Sequence, residues 1–137
     1  MQPDPAGTGS VTTDSQAGEF NARPMRALAG LGALACGIAV GIGAYAMHGA
    51  LTPQNHQRLV VVAVFLFAHG LALAALAPHA RSRLRQGGCL ALTIGTILFA
   101  GSLVLSASLG IAPTLAPFGG GMLMLAWLLI GLDFLFG

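Results

Sequence analysis

The sequence predicts an all-α membrane protein with four transmembrane helices in an antiparallel bundle, and two observations carry that prediction. Three stretches contain no Asp, Glu, Lys or Arg: 31 residues from Ala27 to Gln57, 22 from Leu59 to Ala80 and 47 from Gln86 to Leu132. An uncharged apolar run of about 20 residues matches the ~30 Å hydrocarbon core of a bilayer. In addition, 7% of the residues are charged and 55% are hydrophobic, whereas soluble domains carry ~25% charged residues.

Residues 1–22 differ from the rest of the chain, because small and polar residues dominate there and large apolar side chains are almost absent. Such a segment buries too little apolar surface to offset its conformational entropy. We therefore expect a disordered polar tail over 1–22 and a transmembrane domain over 23–137. A long polar tail ahead of a full-length span is not the arrangement of a secretory signal, so we expect the first span to remain in the protein.

Prolines and the charged loops set the limits of the four spans. We expect the spans over residues 27–47, 59–77, 88–110 and 118–136. Pro24 stands where a helix start tolerates proline, and Pro78 closes the second span. The last uncharged stretch suits two spans, because Pro113 and Pro117 discourage helix between them. Short connections make successive helices antiparallel neighbours.

The arginines predict the orientation. One side of the predicted bundle holds five of them: Arg23, Arg26, Arg81, Arg83 and Arg85. Arg58 is alone on the other side. Since basic residues concentrate in cytoplasmic loops, we expect both termini in the cytoplasm. In a bacterium this means a multi-pass protein of the inner (plasma) membrane; in a eukaryote an organelle membrane is the alternative.

Four small residues recur every fourth position on the first predicted helix: Ala29, Ala33, Gly37 and Gly41. Small residues at this spacing let two helix backbones approach closely inside a membrane. The stripe can serve as a seam between two copies or as a packing face inside the bundle. We favour packing inside the bundle, because Gly and Ala are frequent throughout transmembrane helices.

Three polar or aromatic residues fall at similar depth in different spans: His69, Ser102 and Trp127. Counted from the end of each span, all three lie ~12 to 16 Å into the membrane, so they can meet. Such groups usually face the bundle interior. One interpretation is a small-ligand or proton-handling site in which His69 titrates. The other, which we favour, is a structural group of hydrogen bonds.

His48 and Gly49 close the first span, and His48 lies ~15 Å in depth from His69. Because no second histidine stands at a matching depth, we expect no shared metal site and no haem between them. We therefore predict no metal and no cofactor.

Asp133 is the single acidic residue after Glu19, and it lies near the predicted cytoplasmic interface. Arg26 and the loop with Arg81, Arg83 and Arg85 are expected at the same interface. An ion pair there would lower the cost of burying Asp133 and fix the fourth helix, so we interpret Asp133 as structural first and as part of an ion path second. The arginine loop can also contact anionic lipid headgroups.

Four motifs, one in each span, carry a family resemblance. They are Gly43–Gly49 (GAYAMHG), Ala68–Leu73 (AHGLAL), Phe99–Leu103 (FAGSL) and Ala116–Gly120 (APFGG), the last followed by Trp127. In this order they resemble the domain of unknown function 423 family, the YgdD-like small membrane proteins that include relatives of transmembrane protein 256. The resemblance covers about residues 27–137. It implies a four-span inner-membrane protein without an established activity, and it marks His48, His69, Ser102 and Trp127 as candidates.

Two function classes remain after these observations. The sequence offers no nucleophile, histidine and acid at a common depth and no phosphate-binding glycine loop, so we expect no enzyme. A net charge of +2 gives no continuous basic face, so we expect no nucleic acid partner. We expect a structural or accessory subunit that lies in the lipid bilayer and packs against a larger membrane complex, whereas a homo-oligomer would suit the alternative. The alternative is a small-solute, ion or proton transporter or channel that uses His69, Ser102 and Trp127.

Overall fold

The computed structural model describes the backbone of residues 11–136 and the side chains of residues 23–136. Its helices are α1 (Val11–His48), α2 (Pro53–Leu76), α3 (Arg83–Leu109) and α4 (Ala116–Phe136), with a 3₁₀ turn at Ala77–His79 after α2. With α1 counted from Arg23, each helix is long and apolar enough to cross a membrane. The described residues contain no strand. The predicted all-α fold with four transmembrane helices is confirmed, and the chain is a multi-pass membrane protein.

The helices extend beyond the predicted spans mainly at their N-terminal ends, and polar residues cap those of α2 and α3. Thr52 precedes α2 and accepts the backbone N–H of Asn55 at 3.3 Å, and Pro53 occupies the first helical turn. Ser82 precedes α3 and accepts the backbone N–H of Arg85 at 3.0 Å. Gly110 ends α3 with a φ of 69°, the left-handed conformation that glycine adopts most easily.

Helix α1 begins at Val11, and Pro24 lies inside it and not at its start. Proline has no backbone N–H, so the helix lacks one hydrogen bond at this position. Residues 1–10 lie outside the described residues, and only the backbone is described for residues 11–22. Helix α1 thus includes residues 11–22, where the sequence predicts a disordered tail. For residues 1–10 the disordered tail stays a prediction.

Helices α1 and α2 pack through small residues. The buried face of α1 repeats every seventh residue, with Met25, Gly32, Ala39 and Ala46. A Cβ added to Gly32 would lie 2.5 Å from the carbonyl oxygen of Gly70, and one added to Gly70 would lie 2.7 Å from that of Gly32. The two backbones approach so closely because neither position has a side chain.

Helices α3 and α4 pack by the same means. A Cβ added to Gly119 would lie 2.5 Å from the backbone nitrogen of Phe99, and one added to Gly95 would lie 3.0 Å from that of Leu123. Further along, Gly88 faces Ile130. The contacts 99 with 119, 95 with 123 and 88 with 130 keep one antiparallel register along the whole pair.

The packing order of the four helices follows their order in the chain. Helix α1 packs chiefly on α2, α4 packs on α3, and the two hairpins meet through α2 and α3. Among the residues that the structure describes, the backbones of α1 and α4 are not neighbours. One end of the bundle, here the Arg58 end, holds the C-termini of α1 and α3 and the N-termini of α2 and α4. The opposite end is the Asp133 end.

The predicted small-residue stripe does not pack inside the bundle. Ala33, Gly37 and Gly41 are exposed, and Ala29 is half-buried. A Cβ added to Gly37 or Gly41 would meet no atom within 4 Å. At 3.6 residues per turn, Gly37 and Gly41 lie on nearly the opposite side of α1 from the face that contacts α2. Packing inside the bundle, favoured from the sequence, is therefore wrong for these three residues.

Candidate functional site

His69 lies in the middle of α2 and is 7% exposed. Its Nδ1 lies 2.6 Å from the carbonyl oxygen of Phe65, one turn earlier in the same helix. A carbonyl oxygen only accepts, so Nδ1–H donates and Nε2 of the neutral ring is left as an acceptor. The imidazole is close to two aromatic rings, with centroid distances of 5.5 Å to Phe65 and 6.2 Å to Trp127.

Trp127 reaches His69 from α4 and remains 45% exposed. The sequence predicted that it would face the bundle interior. Because the backbone of α4 packs on α3 and not on α2, the indole covers the gap between α2 and α4, and one side of it faces outward.

Ser102 lies on α3 and is 7% exposed, but at another level of the bundle. The rings of Phe65 and Phe99 are 4.6 Å apart, which fixes the register of α2 against α3. In that antiparallel register Ser102 stands beside Val62, seven residues from His69, or ~10 Å along the axis. The structure therefore brings His69 and Trp127 together and leaves Ser102 apart from them.

The Asp133 end carries a second polar group. Asp133 accepts a hydrogen bond from Arg85 Nε at 2.6 Å, and its side chain is 2% exposed against 22% for Arg85. The other carboxylate oxygen accepts the hydroxyl of Ser82. The Arg85 guanidinium also lies 4.7 Å from the ring centre of Phe134. Of the arginines expected near Asp133, Arg81 and Arg83 are exposed, and the ion pair forms with Arg85.

This group ties the end of α4 to the start of α3. The Ser82 hydroxyl both caps α3 and donates to Asp133, so the carboxylate lies at the N-terminus of α3. The positive end of the helix dipole favours a negative charge there. The ion pair predicted to fix the fourth helix is present, and it joins the last turn of α4 to the first turn of α3.

The Arg58 end is joined by hydrogen bonds to backbone carbonyls, which sequence reasoning missed. Asn55 Nδ2 donates to the carbonyl of Ala107 at 3.1 Å, and His56 Nδ1 lies 2.9 Å from that of Ala46. The first turn of α2 thereby caps the last turns of both α3 and α1. Asn55 and His56, two polar residues shortly after Pro53, are the available signal in the sequence.

His48 and Gly49 stand at the same end. His48 is exposed at the end of α1. Gly49 donates its backbone N–H to the carbonyl of Tyr45 at 2.8 Å, and a Cβ at Gly49 would lie 2.8 Å from that oxygen. Glycine is therefore required where the chain leaves α1. Among the described residues, no three His, Cys, Asp or Glu side chains gather as a metal site.

Comparison with known proteins agrees with the motif resemblance. A family model described as protein of unknown function (DUF423) matches residues 42–120, more than half of the chain. This range includes His48, His69 and Ser102, whereas Trp127 and Asp133 follow it. No solved structure matches the chain. The match places the chain in the DUF423 family of proteins of unknown function.

Proposed function

We propose that the protein is a structural or accessory subunit of a membrane complex, and that it packs through α1 against a helix of a larger partner. The observation that supports the proposal is the exposed stripe of Ala33, Gly37 and Gly41. Glycine lowers helix propensity by about 1 kcal/mol relative to alanine, and a helix surface that meets only lipid gains nothing from it. A partner helix does gain, because its backbone can approach closely.

We further propose that the Asp133 end lies on the cytoplasmic side of a bacterial inner membrane, with both termini in the cytoplasm. The support is the arginine distribution, with Arg58 at one end and the other five near the opposite end. The bias matches the general excess of basic residues in cytoplasmic loops.

The proposed role includes no catalytic step, no cofactor and no nucleic acid. Its support is the sequence, which offers no nucleophile with a base and an acid at one depth.

Copurification from native membranes in mild detergent tests the accessory role. We expect wild type to retain a stoichiometric larger membrane protein. Gly37→Leu should lose it, because the leucine side chain holds the partner helix away. Gly121→Leu on α4 is the matched control, since a Cβ added there also meets nothing within 4 Å, and it should retain the partner. Equal retention by both variants, or recovery of copies of this chain alone, would contradict the proposal.

A second candidate function is a small-solute, ion or proton transporter or channel that uses His69 and Trp127. The buried His69, whose Nε2 is left as an acceptor beside Trp127, favours it. Proton or solute flux in proteoliposomes tests this alternative. Loss of a measurable flux in His69→Ala, with helix content and melting temperature retained, supports transport. Absence of flux in wild type argues against it.

A further inference from the structure

A groove runs between α1 and α3 with α2 as its floor, in the half of the bundle toward the Arg58 end. Its volume is about 430 Å³, within the ~300 to 1,000 Å³ usual for ligand clefts. Its lining includes Ile38 and Ile42 of α1, Val62 and Leu66 of α2, and Ala100 and Gly101 of α3. A smaller cavity of about 170 Å³ shares Leu66 and continues the groove toward the Asp133 end.

The walls of the groove are apolar even where threonines line it. Thr96 donates its hydroxyl to the carbonyl of Leu92 at 2.7 Å, and Thr93 donates to that of Cys89 at 2.9 Å. Both hydroxyls are therefore satisfied within α3. The walls suit a hydrocarbon occupant, because their polar groups need no partner from it.

The length of the groove corresponds to one leaflet. Together with the smaller cavity it extends along α3 over thirteen residues, from Thr93 to Leu105, or ~18 Å for twelve steps of 1.5 Å. Half of a hydrocarbon core of ~30 Å is ~15 Å. A single acyl chain that reaches from the membrane surface to the midplane thus matches the groove.

Arg58 lies on α2 one turn before Val62, which lines the groove. Its Nη1 lies 3.4 Å from Asn55 Oδ1, so most of its donors are left for another group. Every acidic residue of the chain precedes residue 20 or follows residue 132, and Asp133 pairs with Arg85 at the far end. No acidic residue belongs to the helix ends around Arg58. Its charge is therefore complementary to an anion from outside the chain.

We propose that this groove binds one acyl chain of a phospholipid from the leaflet at the Arg58 end, and that the lipid phosphate pairs with Arg58. Guanidinium and phosphate form charge-assisted, often bidentate hydrogen bonds. The groove supplies the apolar contact and Arg58 supplies the headgroup contact. The two contacts lie in the order in which tail and headgroup occur in a lipid. The proposal does not depend on the accessory role.

Native mass spectrometry of the purified full chain in detergent tests the proposal, with phosphatidylglycerol and a diacylglycerol of the same chains as probes. Wild type should bind one phosphatidylglycerol more tightly than the diacylglycerol. Arg58→Gln should weaken phosphatidylglycerol binding about tenfold, the loss expected for a charge-assisted hydrogen bond, and leave diacylglycerol binding unchanged. Arg23→Gln, at an exposed arginine of the other end and outside the Arg81–Arg85 loop, is the matched control and should bind as wild type.

Gly101→Leu tests the groove. A Cβ added to Gly101 meets no atom within 4 Å, so the leucine can fill the groove without disturbing the helices, and binding of both lipids should be lost. Gly121→Leu on α4 should bind as wild type. Wild-type affinity in Gly101→Leu, or equal losses in the two arginine variants, would overturn the proposal. So would a crosslinked dimer that Gly101→Leu abolishes, since a second copy would then occupy the groove. If Gly101→Leu fails to fold, the comparison of the two arginine variants still tests the proposal.

Discussion

The two helical hairpins are closed in the same way along their length and in different ways at their ends. Gly32 and Gly70 bring α1 and α2 together, as Gly95 and Gly119 bring α3 and α4 together. At the ends, α3 and α4 are joined by the charged pair of Asp133 and Arg85, whereas His56 joins α2 to α1 by a single hydrogen bond to a carbonyl. Close backbone approach thus replaces hydrophobic association within the membrane, and polar contacts fix the register near its surfaces.

The same comparison shows that glycines on α1 serve two different surfaces. Gly32 faces α2 and has no room for a Cβ, whereas Gly37 faces outward with nothing near it. Each glycine belongs to a regular repeat on α1, every seventh residue for Gly32 and every fourth residue for Gly37. Spacing alone therefore does not tell which glycine packs within the chain.

The largest expected effect is at a close backbone approach. In Gly119→Ala the new methyl would lie 2.5 Å from the backbone nitrogen of Phe99, so α3 and α4 must move apart. We expect a loss of about 2 to 3 kcal/mol in the free energy of unfolding, the upper part of the range for overpacked sites. SDS titration of the purified protein in mixed micelles, followed by circular dichroism, measures it.

Gly121→Ala, two residues further along α4, is the control. A Cβ there meets no atom within 4 Å, so this variant should match wild type or gain up to about 1 kcal/mol from helix propensity. Gly32→Ala should lose stability as Gly119→Ala does, if the two hairpins are closed alike. Similar losses in Gly119→Ala and Gly121→Ala would show that close approach is not what holds the hairpin.

The second effect concerns the charged end of the α3 and α4 hairpin. In Asp133→Asn the pair with Arg85 is lost, and the guanidinium is left with the carbonyl of His79, to which its Nη1 donates at 3.3 Å. Removing one partner of a fully buried pair costs about 3 to 5 kcal/mol. Arg85 is 22% exposed and can turn toward water, so we expect about 2 kcal/mol, measured by the same titration.

A double-mutant cycle with Arg85→Gln isolates the pair. The combined variant should be more stable than the sum of the two single losses predicts, because no unpaired charge remains. Strict additivity would mean that the contact between Asp133 and Arg85 contributes nothing of its own.

The sequence predicted the spans because uncharged stretches and prolines mark them directly, and it predicted an ion pair for Asp133 because the arginines share its end. The choice of Arg85 over Arg81 and Arg83 depends on helix rotation, which composition does not encode. The depth of His69 was counted from a span starting at residue 59, whereas α2 begins at Pro53. That difference of six residues, ~9 Å along the axis, is why Ser102 was expected beside His69.

The packing face of α1 was available in the sequence but was not recognised. Met25, Gly32, Ala39 and Ala46 repeat every seventh residue, the period of left-handed helix pairs. Ala33, Gly37 and Gly41 repeat every fourth residue, which is also a spacing of packed membrane helices. Both are regular sets on one helix, and the structure distinguishes them because a Cβ has no room at Gly32 and ample room at Gly37.

The smallest expected effect is at the uncharged end of the α1 and α2 hairpin. His56→Ala removes the hydrogen bond to the carbonyl of Ala46, which lies 2.9 Å from Nδ1. His56 is exposed, so water can replace the lost donor, and we expect about 1 kcal/mol or less. Gln57→Ala, at the exposed neighbouring position, should match wild type. A loss in His56→Ala as large as that of Asp133→Asn would mean that the carbonyl contact fixes its hairpin as firmly as the charged pair, and that the ends of the two hairpins differ in chemistry but not in strength.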